Sequence, residues 1–544
     1  MQNRYDFDDT TEEEIQPKPL KKRKLKKRKR TLSSQFYWLL LCIASAATFL
    51  VLYNTPIFPR KWAFLVLGFL VLLLILTGIF TSIFLPRNRF QKFVNCTLAV
   101  CLGIISAITP LYINKITDLF ESALGNKVRI NLYVLTEDYK AQYGDKYQNT
   151  IPLPQEESNG VYKNVNIQDY ANAVYGTTIA TDTLNQEYAV KKLNELTGTQ
   201  IQTIDKASLS EAVEALYDNR IDILIMSEAL ASTIEDIPGY ENFEADTRIL
   251  YSIDRVIESS ADSVKINMTN KPFTIFFGGN DTTGELSLQG RTDVDMTVTV
   301  NPNTHQILIA NLPRDSWIPN PYYNGTRDKL THLGLVGLDN TISEISDIYS
   351  VDIENYVLVN FDTFMAIIRA LGGITIDNPY GFTAINGMVF PEGTMDLNED
   401  YALMYVRERE NLPDGDFGRN MHQQIVMKAI INKLVSKEII TKFNALLNEI
   451  DGQFLTNISA DSFYALAQKQ LDEGIDWNIV NYHITGTTGM EICASAPGQR
   501  LSVVYPYDNQ ITFVKDEIQK VIQGEIITQE ELPDGQFSED ATTE

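Results

Sequence analysis

Residues 273–281, FTIFFGGND, decide the fold of the second half of this chain. The apolar run Phe273–Phe277 predicts a buried strand, because it is short and is followed at once by a turn sequence. Gly278–Asp281 supplies that turn, since glycine, asparagine and aspartate are residues that tight turns favour. The segment therefore predicts a buried strand with the carboxylate of Asp281 at its end.

Strands and helices continue on the carboxyl side of this segment. The predicted strands are Thr297–Val300, Ile307–Ala310, Tyr356–Val359 and Ile374–Ile376, and further helices are expected near Ala402–Tyr405 and from about Arg419 to Val435. The turn sequence Asn301–Thr304 should join the first two strands into a hairpin. Another helix, with apolar residues from Phe364 to Leu371 on one face, is closed by Gly372-Gly373. This order predicts an α/β fold with a mixed sheet and helices packed on it.

Residues 114–260 show a similar alternation on a smaller scale. Arg129–Leu135 and Ile221–Met226 are predicted strands, and Leu209–Tyr217 is a predicted helix with one apolar face. This pattern is typical of a small α/β domain with a partly parallel sheet. No nucleophile, metal-ligand cluster or glycine-rich phosphate loop stands out in it, so we expect an accessory or interaction role.

Three apolar runs precede both domains, at about Phe36–Phe58, Trp62–Leu85 and Phe93–Ile113. Each is close to the roughly 20 residues that a helix needs to cross a bilayer, whereas a cleavable signal peptide has one short apolar core. The basic segment Lys21–Arg30 should stay in the cytoplasm, where it can bind anionic membrane lipid. Three crossings then place everything after about residue 114 outside the cell. The alternative for the basic segment is a nuclear address or a nucleic-acid arm.

The charge and the cysteines exclude two classes of structure. The formal net charge is −24, but residues 1–35 contribute +5 and residues 36–113 contribute another +5, which leaves −34 for the remainder. An acidic chain of this kind lacks the basic face that nucleic-acid binding requires, so we expect no nucleic-acid partner. Cys493 is the only cysteine beyond the apolar runs, and a lone cysteine cannot form an internal disulfide.

Five arginines in the acidic half lie in short motifs beside acidic residues. They are Arg291 in GRTD, Arg314 in LPRD, Arg407 and Arg409 in YVRER, and Arg419 in DFGR. Guanidinium groups bind phosphate oxygens two at a time, and paired aspartates can hold a divalent cation. The set of motifs therefore indicates a pyrophosphate site, although any single arginine would more often form a surface salt bridge. No Ser/His/Asp arrangement stands out, so covalent catalysis is not favoured.

Six segments in this order resemble the catalytic domain of the LytR–CpsA–Psr family, which comprises membrane-anchored bacterial enzymes that attach glycopolymers to the cell wall. The segments are Gly279–Asp281, Arg291–Met296, Leu312–Asp315, Lys329–Gly334, Tyr405–Arg409, and Asp416–Arg419 with Gln423-Gln424. The resemblance covers residues 271–525, and three spans followed by an extra domain are most similar to the streptococcal capsule-type CpsA members. Met421-His422 departs from the family pattern, because many relatives carry an arginine there.

The resemblance implies a phosphotransferase. A hydroxyl of a peptidoglycan sugar would attack the sugar-linked phosphorus of a polyprenyl-pyrophosphate glycan and expel polyprenyl phosphate, which attaches capsule or wall polysaccharide to the cell wall. Such a reaction needs positioning and charge neutralisation, which arginines and a metal ion supply. The implied organisation is a cytoplasmic basic tail (1–35), three transmembrane helices (36–113), an extracellular accessory domain (114–260), an extracellular catalytic domain (271–525) and an acidic C-terminal tail (526–544).

The resemblance also implies roles for single residues. Asp281 and Asp293 would hold Mg²⁺ (or Mn²⁺), while the pyrophosphate supplies further ligands. Without the family match, a turn cap and a solvated strand end describe these two residues equally well. The catalytic residues would be Asp281, Arg291, Asp293 and Arg314. The residues that bind pyrophosphate would be Arg291, Arg314, Arg407, Arg409, Arg419 and Gln423.

The spacing of these residues constrains the local structure. Arg407 and Arg409 diverge on a helix but share a face on a strand, so a helix there must end at about Tyr405 or Val406 if both bind one ligand. Arg419 and Gln423 are four residues apart and share a helix face, at an amino end that also favours an anion.

The lipid tail of the donor requires an apolar tunnel. The candidate walls are Val298, Leu308, Phe361, Phe364 and Ile368, although residues of this kind are more often part of a core. His332 is either a packed loop histidine or a residue that holds the ligand-binding side chains in position without contacting the ligand itself.

Two other functions fit the same residues. A hydrolase would cleave the pyrophosphate with water and release the glycan unattached. A surface sensor or transcription attenuator would signal through residues 1–35, a segment too short and too charged to bury a core of its own.

Overall fold

The structure is a computed structural model that describes residues 34–55, 58, 60–83, 89–123, 127–147, 151–178, 182–235, 237–256, 267–280, 286–436, 446, 449–450, 454–497 and 500–536. The described residues belong to two compact units. One unit contains residues 34–50 and 65–107, and the other contains residues 51–64 and 108–536.

Three long helices begin the described chain, and they are α1 Ser34–Asn54, α2 Arg60–Ile83 and α3 Arg89–Ala123. All three are long enough and apolar enough to cross a membrane, which confirms the prediction of three helices of this kind. The third helix continues beyond the predicted end of its span at Ile113, and its residues from Ile108 onward belong to the second unit.

The first α/β region follows α3. Its helices are α4 Glu137–Gln142, α5 Thr183–Thr197, α6 Leu209–Tyr217, α7 Ala231–Glu235 and α8 Phe243–Asp246. Its strands are β1 Lys127–Leu135, β2 Glu157–Ser158, β3 Val161–Tyr162, β4 Val174–Thr178, β5 Gln202–Lys206, β6 Ile223–Ser227 and β7 Thr247–Val256. These strands form one mixed sheet in the order β2-β3-β7-β1-β6-β4-β5, in which β4 runs parallel to β5 and β6 while β1 runs antiparallel to β6 and β7. The predicted partly parallel sheet is confirmed.

Each face of this sheet has its own core, because side chains alternate along a strand. Ile130 and Leu132 of β1 pack on the face that is covered by α5 through Ala189 and Leu193. Tyr133 and Leu135 pack on the other face, which α6 and α7 cover. Helix α5 therefore lies on one face of the sheet, and helices α6 and α7 lie on the other.

The second α/β region begins at Phe273. Its strands are β8 Phe273–Gly279, β9 Val294–Asn301, β10 Gln306–Asn311, β11 Trp317–Pro319, β12 Arg327–Lys329, β13 Asn355–Val359, β14 Ile374–Asn378, β15 Phe382–Thr383, β16 Val389–Phe390, β17 Gly393–Leu397, β18 Leu455–Thr456, β19 Asn478–His483, β20 Gly486–Ile492 and β21 Arg500–Pro506. Its helices are α9 Leu330–Leu333, α10 Leu338–Tyr349, α11 Phe361–Ala370, α12 Glu399–Arg407, α13 Gly415–Leu434, α14 Ala460–Glu473 and α15 Asp508–Gln523.

The main sheet of this region has six strands in the order β18-β13-β8-β9-β10-β19. The predicted hairpin is confirmed, since β9 and β10 pair antiparallel around Asn301–Thr304, while β13 and β19 run parallel to β8 and β10. Helices α10 and α15 pack on one face of the sheet, and α13 packs on the other. The fold class is therefore α/β with a mixed sheet between helices, as predicted.

The helix boundaries near the predicted site differ from the prediction. α12 continues to Arg407, past the expected end at Tyr405 or Val406. α13 begins at Gly415 instead of Arg419. Gly415 has a positive φ of 52°, a conformation that glycine adopts without strain and that turns the chain into the helix early.

Candidate active site

The site lies at the edge of the second sheet where two parallel strands end together. β8 and β13 are in register up to Gly279 and Val359. The backbone N–H of Asn280 donates to the carbonyl of Val359 at 2.9 Å, and that of Asp293 donates to the carbonyl of Gly279 at 2.7 Å. These bonds bring the start of β9 to the carboxyl ends of both strands, an edge at which α/β folds commonly bind ligands.

Asp293 and Arg314 form a largely buried ion pair at this edge, with Nη1 of Arg314 at 2.6 Å from Oδ1 of Asp293. Burial disfavours the charged carboxylate, but the positive charges of Arg314, Arg291 and Arg419 hold the pKa of Asp293 below its usual range. Asp293 is therefore ionised at neutral pH. Arg314 stays charged as well, because burial is outweighed by Asp293 and Asp315, which raise its pKa.

Asp295 is a second carboxyl at this edge that the sequence analysis did not single out. Its side chain is completely buried, and burial raises its pKa to about 8 even though Thr292 and Arg314 act in the opposite direction. Asp295 is therefore mainly neutral at pH 7, while Asp293, two residues earlier, is charged. Both carboxyls are buried, but the arginines outweigh burial at Asp293 whereas burial dominates at Asp295, and their sequence motif does not contain this difference.

Arg407 and Arg409 both line the same cavity as Asp293 and Arg314. Cζ of Arg407 lies 4.5 Å from the ring centroid of Phe361. The extended backbone of Glu408 ends α12, and the Glu408 carboxylate accepts the backbone N–H groups of Ile385 at 2.7 Å and of Arg409 at 3.0 Å. This turn lets both guanidinium groups reach the cavity although the helix ends one residue later than expected.

Arg419 and Gln423 also line the cavity, from one face of α13 as predicted. The predicted position of Arg419 at the amino end of the helix is wrong, because the first turn contains Asp416 instead. Oδ1 of Asp416 lies 2.5 Å from Nη2 of Arg419. The buried Nε atoms of Arg314 and Arg419 have no hydrogen-bond partner among the described residues. Buried donors without a partner indicate a ligand whose oxygens would accept their hydrogen bonds.

The other predicted site residues have different positions. Arg291 lies near enough to lower the pKa of Asp293, but it is not among the residues that line the described cavity. Asp281 lies outside the described residues. His422, at the departure from the family pattern, is stacked on Tyr405 with ring centroids 3.9 Å apart. Burial lowers its pKa to about 4, so His422 is neutral and does not replace an arginine.

His332 is a packed histidine. Its Nδ1 lies 3.0 Å from both Oδ1 of Asp328 and Oγ of Ser495. Cys493 lies in the same buried cluster, and burial raises the pKa of its thiol to about 12. The Asp328 carboxylate already accepts the Ser495 backbone N–H at 2.9 Å, so protein groups satisfy this cluster.

The cavity has a volume of about 2150 Å³, and apolar side chains form most of its wall. Among the candidate walls, Val298, Phe361 and Phe364 line it. Leu308 and Ile368 are instead buried in hydrophobic cores and do not line the cavity. The prediction that they line the tunnel was therefore wrong. Leu308 follows the lining residue Ile307 in β10 and points to the opposite face of the sheet. The apolar end of the cavity is the part lined by Phe58, Trp62, Tyr112, Ile113, Leu119 and Phe120, and its charged end is the part lined by Arg314, Arg407 and Arg419.

Comparison with known proteins identifies similar chains. The profile of the LytR_cpsA_psr family matches residues 243–501. A Halalkalibacterium halodurans protein named polyisoprenyl-teichoic acid–peptidoglycan teichoic acid transferase TagU is 31% identical over 283 residues, which cover 52% of this chain and 86% of that protein. The protein of the same name from Bacillus mycoides is 30% identical over 231 residues, 42% of this chain and 75% of the relative. The crystal structure of B. subtilis TagV aligns with a TM-score of 0.39 at 27% identity, covering 47% of this chain and 98% of TagV.

Proposed function

This chain belongs to the LytR_cpsA_psr family, and we infer that it is a phosphotransferase that moves a glycan phosphate from a polyprenyl-pyrophosphate donor to peptidoglycan. The two TagU relatives are named for the transfer of teichoic acid to peptidoglycan. The glycan that this chain attaches is a capsule or wall polysaccharide.

A cavity with two chemically different ends supports this function best. At one end, Arg314, Arg407 and Arg419 face a common space beside the ionised carboxylate of Asp293. Most of the remaining wall is apolar, and the volume exceeds the roughly 300–1,000 Å³ that is usual for small-molecule pockets. A polyprenyl pyrophosphate has the same two parts, a compact anion and a long hydrocarbon chain, so it matches the cavity in both charge and shape.

The chemistry follows from these groups. An oxygen of a peptidoglycan hydroxyl bonds to the phosphorus that carries the glycan and loses its proton, while the bond from that phosphorus to the bridging oxygen breaks. Polyprenyl phosphate leaves with the bridging oxygen, and the hydroxyl proton passes to that phosphate or to solvent water. Arg314, Arg407 and Arg419 orient the pyrophosphate and neutralise the charge that gathers on its oxygens.

A divalent cation, Mg²⁺ or Mn²⁺, is part of this proposal. Asp293 fits the role of a metal ligand because it lines the cavity and is ionised at neutral pH, and Asp281 is the second proposed ligand. The cation would neutralise charge on the pyrophosphate oxygens. The protein groups that act beside it are the arginines, which hold the same anion from other directions.

The lipid tail of the donor would occupy the apolar end of the cavity. Residues of α3, among them Tyr112 and Phe120, and residues near the start of α2, such as Trp62, line that end. Because α2 and α3 are of membrane-spanning length, the lipid-anchored donor and the enzyme would share one bilayer. The donor and the enzyme then meet without the lipid leaving the membrane.

We propose that the orientation of the chain follows the positive-inside rule. Lys21–Arg30 would then stay in the cytoplasm, and after three crossings the catalytic region would lie outside the cell. In cells stripped of their wall, added protease should digest the chain beyond residue 114 and spare the basic arm. Digestion of the arm with protection of the catalytic region would place the enzyme on the wrong side for peptidoglycan.

A transfer assay tests the function. The full chain in lipid nanodiscs is incubated with a radiolabelled polyprenyl-pyrophosphate oligosaccharide and purified peptidoglycan, and label is measured in peptidoglycan and in free sugar. Label linked to peptidoglycan supports the transferase. Free labelled glycan alone would support the hydrolase. Absence of both products would leave the sensor or attenuator as the function.

A further inference from the structure

The first sheet has a crevice of the kind that binds ligands in other α/β folds. Its parallel strands β4 and β6 are neighbours, but α5, which follows β4, lies on one face while α7, beyond β6, lies on the other. Adjacent strands whose connections leave toward opposite faces leave a gap beyond their carboxyl ends, and ligands of α/β proteins bind there. Asp182 and Ser227 lie at this crevice, and Oδ2 of Asp182 accepts the backbone N–H of Ser227 at 2.6 Å.

The crevice is occupied by a side chain of the second α/β region, that of Gln289. Nδ2 of Asn185 donates to Oε1 of Gln289 at 2.6 Å, and Nε2 of Gln289 donates to Oδ1 of Asp182 at 3.2 Å. Arg255 holds Asn185 in place by donating to its Oδ1 at 2.7 Å. Asp182, Asn185 and Gln289 are all buried, so these bonds are shielded from water. The first region thus binds an amide of the second region as it would bind a polar ligand.

Gln289 is directly connected to the candidate active site. It precedes Gly290 and Arg291, and Asp293 follows in the same segment. Nε2 of Gln289 also donates to the carbonyl of Leu335 at 2.6 Å, and the backbone N–H of Gly290 donates to the carbonyl of Gly334 at 2.9 Å. The two segments approach so closely at this point that a Cβ on Gly334 would lie 2.2 Å from the carbonyl oxygen of Gly290.

The second segment extends the connection to another arginine of the site. The chain from Leu335 back to Thr331 is short, and the backbone N–H of Thr331 donates to the carbonyl of Arg314 at 2.8 Å. Arg314 pairs in turn with Asp293. Gln289 therefore lies where the segments that carry Arg291, Asp293 and Arg314 are tied together, and the crevice of the first region holds it there.

We propose that the accessory region is a positioning device for the catalytic reaction, in which its crevice binds Gln289 and so fixes the segment that carries Arg291 and Asp293. This proposal rests on the proposed function for its catalytic consequence. Asn185 and Gln289 are positioning residues, because they contact neither the pyrophosphate nor the acceptor. Loss of the contact lets the 290–293 segment move, which misplaces a guanidinium and a carboxylate at once. A displacement of about 1 Å can cost a factor of about 100 in rate.

Two single variants and their combination test the proposal. Asn185→Ala removes the contact from the accessory side, and Gln289→Ala removes it from the catalytic side. Each should raise KM for the labelled polyprenyl-pyrophosphate donor and lower kcat, with an overall loss of about tenfold or more. The activity of the double variant should be no lower than that of the more impaired single variant, because both substitutions break the same Asn185–Gln289 hydrogen bond. Losses that multiply, or normal KM and kcat in both single variants, would overturn the proposal.

A second measurement separates this proposal from the proposed function. Backbone hydrogen exchange of Gly290 and Asp293 should become faster in Asn185→Ala, since both amides donate to neighbouring segments in the wild type. Faster exchange in an enzyme that transfers no glycan would keep the positioning role and refute the function. Unchanged exchange would refute the positioning role. Gln529→Ala is the control, because Gln529 also bridges two segments, through Asn481, but does not line the cavity.

Discussion

The two ends of the cavity are built by different forces, and they were not equally visible in the sequence. At the charged end, the largely buried Arg314 and Arg419 compensate the charge of the buried Asp293. At the apolar end, ordinary strand and helix residues leave a space between them that they do not fill. A buried charge must be compensated by a specific partner, whereas an apolar wall residue is chemically the same as a core residue. The charged end should therefore depend on single residues, and the apolar end should tolerate change.

The largest effect is expected for Arg407→Ala. Arg407 lines the cavity and lies against the ring of Phe361, so alanine removes a positioned positive charge from the cavity wall. Arginines that stabilise a transferred phosphoryl group contribute factors of about 10³ or more, and we expect a loss of that order in kcat. The transfer assay measures it.

Arg369→Ala is the matched control for that variant. Arg369 is an exposed arginine of α11 that pairs with Glu399 and Glu449, and it is not among the residues lining the cavity. Activity should be unchanged, because exposed ion pairs contribute little. Equal losses in both variants would show that the charged end has no special role.

The next largest effect concerns the proposed metal ion. Chelation should lower the transfer rate of the wild type, and added Mg²⁺ should restore it. Asp293→Asn should lose about 100-fold and remain impaired at saturating Mg²⁺, because the protein ligand itself is missing. An unchanged wild-type rate in chelator would remove the metal from the reaction. A normal melting temperature of Asp293→Asn would show that the loss is not caused by unfolding.

Asp295 provides a test of burial at the charged end that does not involve activity. Its pKa is raised to about 8 in the folded protein, while an unfolded aspartate titrates near pH 4. Between these values the folded state holds a proton that the unfolded state has lost, so stability falls as pH rises from about 4 to about 8 and levels off above that. The slope contributed by this group is at most about 1.4 kcal/mol per pH unit.

The measurement compares the free energy of unfolding of the second unit in wild type and Asp295→Asn from pH 5 to pH 9. Asparagine cannot ionise, so the difference between the two proteins should change with pH in favour of the variant as pH rises. A difference that stays constant over this range would mean that Asp295 is already ionised in the folded protein.

The sequence predicted the parts of the site that depend on residue type and spacing. Arg407 and Arg409 were expected to share a ligand only if the helix ended at about Tyr405 or Val406. The helix instead ends at Arg407, and the Glu408 carboxylate then accepts the backbone N–H groups of Ile385, Arg409 and Asn411. The crevice contact of Gln289 was not predicted, because Asp182 and Asn185 are more than a hundred residues away in the chain. Such a contact depends on how two sheets pack, which local patterns do not contain.

The same limit explains the misassigned walls of the apolar end. Leu308 was a sensible candidate by composition, but the pleat of β10 directs it away from the cavity and directs Ile307 into it. Which face of a strand adjoins an unfilled space depends on how far the helix on that face stands from the sheet. The alternation of side chains was predictable, whereas the location of the space was not.

The smallest effect is expected at the apolar end, for Ile307→Val. Ile307 lines the cavity, and removal of one methylene there should weaken contact with the lipid chain by about 0.8 kcal/mol, which is about a fourfold rise in KM for the donor. The chain is held equally before and during the reaction, so kcat should not change. Ile309→Val is the matched control, because Ile309 lies in the same strand and on the same face but is packed in the core and does not line the cavity. It should cost about 0.5–1.5 kcal/mol of stability with no change in KM. A rise in KM for both variants, or for Ile309→Val alone, would contradict the assignment of the apolar end as the binding surface for the lipid.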